Sequence, residues 1–264
     1  MDFGLQGKLA LVTGSTAGIG LAIAAGLAAE GARVVINGRT EKRIAEAVEQ
    51  IKAKHPKADV SGKAADMSTT HGIDAIVKQH PRVDILVNNV GIFEPKPFTQ
   101  ISDLDWTRTF DVNVMSGVRL SRAYLNEMLK RNWGRIIFIS SESGVNIPAE
   151  MIQYGVTKTA QLALSRGLAE LTVGSGVTVN SVLPGPTRSE GVGVFVEQMA
   201  KQQGITQQQA EKDFFEKIRP SSLLKRFATV EEVANMVVYV CSTAAAATNG
   251  AALRVDGGVV RSIL

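Results

Sequence analysis

Cysteine is all but missing: Cys241 is the one thiol in 264 residues. That excludes a disulfide or a cysteine–zinc site within the chain and suits a reducing cytoplasm. Histidine is nearly as scarce. His55, His71 and His80 show no metal-ligand spacing and two of them adjoin proline, so no metal is expected. No stretch approaches the ~18 apolar residues of a membrane span, and the opening MDFGLQGK has no signal-peptide core. Nor is there a block of one charge: 29 basic and 25 acidic residues leave +4, scattered along the chain. Such a surface is a solvated one and argues against a nucleic-acid partner. Repeats, low-complexity tracts and linkers are absent too, which points to a single domain over residues 1–264.

What is present is an alternation of strand and helix patterns. Apolar or β-branched runs at 8–13, 33–36, 60–65, 83–88, 135–139, 177–183 and 251–255 read as strands. Helical patterns lie between them: to Glu30 after the first strand, 41–54 with Thr40 as N-cap, 70–79, 102–130, about 150–172, and 229–241. Ser102 with Asp105 has the spacing of a capping box, and Thr229 with Glu232 opens the last helix. The inner strands are apolar throughout, which argues a parallel sheet covered on both faces. The expected fold is α/β: a doubly wound, Rossmann-type, seven-stranded parallel sheet with its ligand site at the carboxyl edge of the strands. Gly14, Asn88, Ser141 and Pro184 all fall on that edge. Residues 187–227 show no strand pattern, and Gln198–Glu216 suggests one or two short helices. A stretch this long beside the strand edge is expected to be a substrate lid.

The chain is organised around Gly134–Lys158. A buried strand runs out into Ser140–Ser141, a polar turn follows, and the next helix carries Tyr154 and Lys158 four residues apart on one face. A phenol with a pKa of ~10 is a weak acid, and a neighbouring ammonium is expected to pull that value toward neutrality. Ser141 could then hydrogen-bond a carbonyl oxygen while Tyr154 protonates it. This is the chemistry of ketone reduction, provided a hydride donor sits opposite. The plainer reading is an amphipathic helix with a snorkelling lysine.

The first strand ends in Thr13-Gly14-Ser15-Thr16-Ala17-Gly18-Ile19-Gly20. In this spacing Gly14 allows a tight turn, Gly18 lets backbone approach a pyrophosphate, and Gly20 packs helix on strand. The helix N-terminus then offers N–H groups and positive potential to phosphates. A dinucleotide site is expected here.

TGSTAGIG at 13–20, Asp66, NNVG at 88–91, Asn113, Ser141, the Tyr154–Lys158 pair and PGPT at 184–187 stand together in one order. In them the chain resembles the short-chain dehydrogenase/reductase family over nearly its whole length. The resemblance implies that Ser141 polarises the carbonyl, with Ser140 as competitor, and that Tyr154 is general acid in reduction and base in oxidation. It implies that Lys158 lowers the tyrosine's pKa and bonds the nicotinamide ribose, and that Asn113 holds a water linking Lys158 to solvent. The glycine turn, with Ser15, Thr16 and Ile19, would bind the cofactor. So would Asp66 and Met67, together with Asn88, Val90 and Gly91 beside the adenine. Asp66 has an equal alternative as a helix N-cap or loop acid. Pro184 and Gly185 would back the nicotinamide and Thr187 bond its carboxamide. The family also implies a homotetramer or dimer built on the long helices, where Ala160–Leu171 is rich in small and apolar residues.

Cofactor choice is a local electrostatic question. At the end of the second strand Gly38 stands where an NAD site carries an acid, and Arg39, Thr40 and Arg43 follow. A guanidinium grips a 2′-phosphate bidentately, so NADP(H) is favoured over NAD(H). The expected activity is NADPH-dependent reduction of a ketone to a secondary alcohol, or the reverse, on a small-molecule substrate; 3-oxoacyl thioesters, sugars, steroids and small ketones stay open. Glu142, Ser143, Ile147 and the 187–227 segment are expected to line the substrate pocket. The alternatives are a non-catalytic nucleotide-binding scaffold and a lyase or isomerase on the same frame.

Overall fold

The computed structural model describes residues 2–263, apart from the side chains of Val194 and Phe195. Met1 and Leu264, the ends of the expected domain, lie outside the described residues. The strands are β1 (Leu9–Val12), β2 (Arg33–Gly38), β3 (Val60–Ala64), β4 (Ile85–Asn88), β5 (Gly134–Ile139), β6 (Val177–Pro184) and β7 (Ala252–Val255). They form one parallel seven-stranded sheet in the order β3-β2-β1-β4-β5-β6-β7. The order reverses between β1 and β4, and the crevice at that switch point is where an open α/β sheet takes a ligand.

The helices are α1 (Gly18–Ala29), α2 (Glu41–Lys54), α3 (Thr70–Gln79), α4 (Asp103–Phe110), α5 (Ser116–Lys130), α6 (Ile152–Glu170), α7 (Glu190–Gln203), α8 (Gln207–Asp213) and α9 (Val230–Cys241). Period-two alternation divides the strand side chains between two cores. In β5, Ile137 and Ile139 join α1, α2 and α9 in one core, while Ile136 and Phe138 join α3, α5 and α6 in the other. Each such side chain, wholly withdrawn from water, contributes roughly 1.5–3 kcal/mol. Arg135, on the same strand but only 2 % exposed, is held by the carbonyls of Gly134, Gly176 and Ser242.

The structure departs from the sequence reading at several strand ends and in two longer stretches. β4 starts at Ile85, and the Asp84 carboxylate just before it accepts from the Leu9 N–H at 2.9 Å. The 102–130 helix has the expected Ser102–Asp105 capping box, yet Asp111–Met115 is a π turn between α4 and α5. The 187–227 stretch is chiefly α7, α8 and a second π turn, Phe214–Ile218. It has a small core of its own, in which the rings of Phe214, Phe215 and Phe227 lie 5.0–5.1 Å apart.

Candidate active site

The carboxyl ends of the central strands open onto a cavity of about 660 Å³ lined by Asn89, Gly91, Ser141, Tyr154, Lys158 and Gly185, among others. On the β1 side lies the glycine turn. Gly14 and Gly18 have φ of +59° and +56°, left-handed values that favour glycine. A Cβ on Gly20 would lie 2.5 Å from both Asn89 Nδ2 and Gly14 O. Ser15 ties the turn down: its hydroxyl donates to Val12 O at 2.6 Å and accepts from Asn37 N at 3.0 Å. α1 then begins with Ala17 at its N-cap, no side-chain cap and no acid in its first turn. Its leading N–H groups therefore face the crevice without a side-chain acceptor, an arrangement suited to an anion.

On the β5 side the two serines separate. Ser140 donates to Lys158 O at 2.8 Å, stitching strand to helix. Ser141 accepts from Ser143 N at 3.1 Å and is hydrogen-bonded to the Tyr154 phenol. Phe93 packs edge-on to Tyr154 with centroids 6.0 Å apart. Lys158 is 3 % exposed, and its Nζ, 5.5 Å from the centre of the Tyr154 ring, donates to Ile139 O at 2.8 Å and to Gln161 Oε1 at 3.2 Å. Asn113 sits in the π turn with its side chain fully engaged. Its Oδ1 accepts from Ile92 N at 2.8 Å, and its Nδ2 donates to Ile92 O at 3.0 Å and to Thr157 Oγ1 at 2.9 Å. The Asn113 backbone carbonyl accepts from Gln161 Nε2 at 2.5 Å. A Lys158–Gln161–Asn113 chain thus joins the lysine to the asparagine.

Gln161 was missed for a plain reason. It lies one turn beyond Lys158 on the same helix face, and a mid-helix glutamine carries no motif of its own. Its amide orientation is set by its neighbours, since an ammonium can only donate and a carbonyl can only accept.

The protonation balance differs from the expected lowering of the Tyr154 pKa by Lys158. Burial pushes the half-buried phenol up to about 12, against a smaller lowering by the Ser141 hydrogen bond, and Glu142 adds to the rise. Burial also pulls the Lys158 ammonium down to about 7. Desolvation disfavours the charged form of both groups.

Several other expected residues are placed differently. Asn88 is 4 % exposed with its amide toward Ser121 in α5, whereas Asn89 holds the glycine turn by donating to Thr13 O and Gly14 O, both at 2.9 Å. The Met67 side chain is in the second core. Asp66 is exposed and caps no helix: Ser68 N and Oγ donate to it at 2.9 and 2.7 Å, and these bonds, ahead of the more distant Arg39, lower its pKa. Ile147 lies 45 % exposed against α6, where a Cβ on Gly155 would meet it at 2.6 Å.

The remainder fall at the crevice. Val90 packs on Gly14, and a Cβ on Gly91 would lie 3.4 Å from Lys158 Nζ. Ile19, Pro184, Gly185 and Thr187 line the cavity, and the Thr187 hydroxyl donates to Gly185 O at 2.9 Å. Arg39 is exposed beyond β2, Thr40 caps α2, and Arg43 pairs at 2.8 Å with Glu190 of α7. A Cβ on Gly38 would lie 2.5 Å from the Thr16 methyl, so Thr16 occupies the space a larger side chain would need. No group of His, Cys, Asp or Glu among the described residues could hold a metal ion, and no described helix is long and apolar enough to cross a membrane.

A glycine turn under a helix N-terminus, facing a Ser–Tyr–Lys cluster across a doubly wound sheet, defines a dinucleotide-dependent oxidoreductase class. The short chain dehydrogenase family model matches residues 8–200, and the chain belongs to that family. Over the full length of both chains it is 48 % identical to YvaG, an uncharacterized oxidoreductase of Bacillus subtilis. It is 33 % identical to the 3-oxoacyl-[acyl-carrier-protein] reductase FabG of Aquifex aeolicus, covering 98 % of this chain and 100 % of that one. Among solved structures, L-sorbose reductase from Gluconobacter frateurii, complexed with NADPH and L-sorbose, superposes with a TM-score of 0.94 at 34 % identity and full coverage of both chains.

Proposed function

We propose that this chain is an NADPH-dependent carbonyl reductase, converting a ketone to a secondary alcohol or the reverse. The observation that carries it is the single cavity that joins the glycine turn to the Ser141–Tyr154–Lys158 cluster. The cradle fits a dinucleotide: Gly14 and Gly20 let the turn and helix pack closely, Gly18 leaves no side chain where a pyrophosphate would approach, and α1 offers uncapped N–H groups. Gly91, Pro184, Gly185 and Thr187 would hold the nicotinamide half, with Lys158 on its ribose. Arg39 and Thr40 would hold the 2′-phosphate, and the space at Gly38, filled by Thr16, disfavours the acid of an NAD site. When bound, NADPH supplies the hydride that reduces the carbonyl carbon.

The chain's own residues manage the oxygen. Ser141 donates a hydrogen bond to it, and Tyr154 delivers the phenolic proton as charge develops there. A phenol held up to about 12 keeps its proton at neutral pH until an alkoxide, the stronger base, takes it. Lys158 stands beside the phenolate that remains, fixed by Ile139 O and Gln161. α7, α8 and the Phe214–Ile218 turn form a lid over the cavity. Copies of the chain pair through α6, whose Ala163 and Gly167 are exposed, as is Leu171 just after it. A reducing cytoplasm suits Cys241, buried as a free thiol.

Purified protein, mixed with NADPH and a ketone panel, should oxidise the cofactor. No fall in reduced-nicotinamide absorbance with any ketone, and no rise with any alcohol and NADP, would remove the reductase reading in favour of a scaffold.

A further inference from the structure

The cavity carries a charged cluster that proton and hydride transfer do not use. Glu142, next to Ser141, lines the cavity and is 3 % exposed. Its Oε1 accepts from Ser143 Oγ and from Arg219 Nε, both at 3.2 Å. Its Oε2 is buried and, among the described residues, has no hydrogen-bond partner. Arg219, 8 % exposed, follows the Phe214–Ile218 turn, and its Nη1 donates to Glu150 Oε1 at 3.3 Å and to Ile218 O at 3.1 Å. Lys217 also lines the cavity, but its ammonium donates to Asp213 at 2.7 Å. The Asp256 carboxylate accepts from Gly258 N and Val260 N. One guanidinium therefore faces two cavity carboxylates, and the cluster carries net negative charge.

A buried carboxylate oxygen without a donor is costly, and native proteins keep few of them. Burial, ahead of the opposing pull of Arg219, raises the Glu142 pKa, as expected of a carboxyl short of donors. Glu142 itself lines the cavity, beside the space a bound ligand would fill. A hydroxyl fits this oxygen whether the carboxyl is ionised or protonated. An anion does not, because an ionised Glu142 repels it and Arg219 is already paired with Glu142 and Glu150. An apolar ketone leaves the oxygen unpaired.

We propose that Glu142 reads a hydroxyl of the substrate, so that this site takes a neutral polyhydroxylated ketone in preference to an apolar ketone or an anionic 3-oxo acid. The inference rests on the carbonyl-reductase reading. Arg219 is then a positioning residue that holds the carboxylate from the lid side.

Three four-carbon ketones of matched length test it with the intact enzyme and NADPH: erythrulose, 2-butanone and acetoacetate. Erythrulose should exceed both others in kcat/KM by about 100-fold or more, as a site built to bond a hydroxyl rejects analogues that lack it. Glu142→Met should cut the erythrulose-to-butanone ratio by roughly 10- to 100-fold, chiefly through KM. Glu142→Gln, which keeps the shape around Arg219, should cut it less and serves if the Met variant does not fold. A role confined to fixing Arg219 would lower all three ketones alike and leave the ratio unchanged. Butanone or acetoacetate matching erythrulose, or a ratio that survives in both folded variants, overturns the proposal. Saturation-transfer NMR with erythritol and 2-butanol keeps the test independent of turnover. If no ketone is reduced, the reductase reading falls, while signal from erythritol alone still supports hydroxyl recognition and equal signals overturn it.

Discussion

Gln161→Leu isolates what holds the active-site lysine. Leucine keeps the bulk of the side chain on a face of α6 that is 1 % exposed at this position, but removes the acceptor 3.2 Å from Lys158 Nζ. A hydrogen bond to a charged group contributes ~1.5–3 kcal/mol, and one pKa unit corresponds to about 1.36 kcal/mol. The Lys158 value, already pulled down to about 7 by burial, should fall by a further ~1–2 units. Lysine is cationic below its pKa, so a lower value removes the ammonium at a lower pH. The limb of kcat/KM for NADPH that declines with rising pH should move ~1–2 units toward acid, since this parameter reports the free enzyme. At pH near 7 the charged fraction drops from roughly half to about 1–10 %, a loss of roughly 5- to 50-fold. Gln161→Glu should move the limb the other way, because a carboxylate favours the ammonium. The assay is a pair of pH profiles on variants shown to be folded. Profiles of Gln161→Leu and parent that superimpose would refute the idea that Gln161 sets the lysine's charge.

Tyr154→Phe should lower turnover by ~10²–10⁴-fold while NADPH binding, followed by nicotinamide fluorescence, changes little. Arg39→Ala should weaken NADPH by roughly 10- to 100-fold and leave NADH nearly unchanged; equal losses in kcat/KM would remove Arg39 from the 2′-phosphate. Gly38→Asp alone would drive its Cβ to 2.5 Å from the Thr16 methyl, so the switch toward NAD should require Thr16→Ala in the same chain. Lys158→Met should raise Tm at neutral pH, by about 2–4 °C for each kcal/mol of relieved burial, while turnover is lost. Lys158 has a folded pKa below its unfolded one, so its penalty is complete below about 7 and disappears as pH climbs toward 10.5. The Tm gap between variant and parent should close over that window; a gap independent of pH would point to packing instead. A stable monomer in sedimentation at micromolar concentration would exclude pairing through α6.

Much of the fold was legible because its signals are local. β5 and β6 are apolar throughout, the mark of strands covered on both faces, and Ser102, Thr229 and Thr40 mark helix starts by chemistry that acts within three residues. The π turn at Asp111–Met115 left no such mark, since Asp-Val-Asn-Val-Met reads as ordinary helix. What shapes it is tertiary: Asn113 is clamped by the backbone of Ile92 on one side and by Thr157 on the other. The 187–227 stretch, expected to hold one or two short helices, was only partly legible for a related reason. Its order comes from a third core built by Phe214, Phe215 and Phe227, and Phe227 stands well beyond the helices it covers.

The site divides along the same line. Gly14, Gly18, Gly20, Ser141, Tyr154 and Lys158 are set by turn geometry and by one-turn spacing on a helix, and Ser141, Tyr154 and Lys158 line one cavity with Ile19 of the glycine turn. Asn88 and Asn89 show the limit: adjacent residues leaving a strand point to opposite faces, and a shift of one decides which amide meets the glycine turn. Gln161, Arg219 and the pKa values depend on what lies across the cavity. Lys158 and Tyr154 are four residues apart, which suggests mutual stabilisation of their charges. Yet both sit where burial decides, so the lysine falls to about 7 and the phenol rises to about 12. Spacing states which groups can meet; only the surrounding packing states which protonation state each one holds when they do.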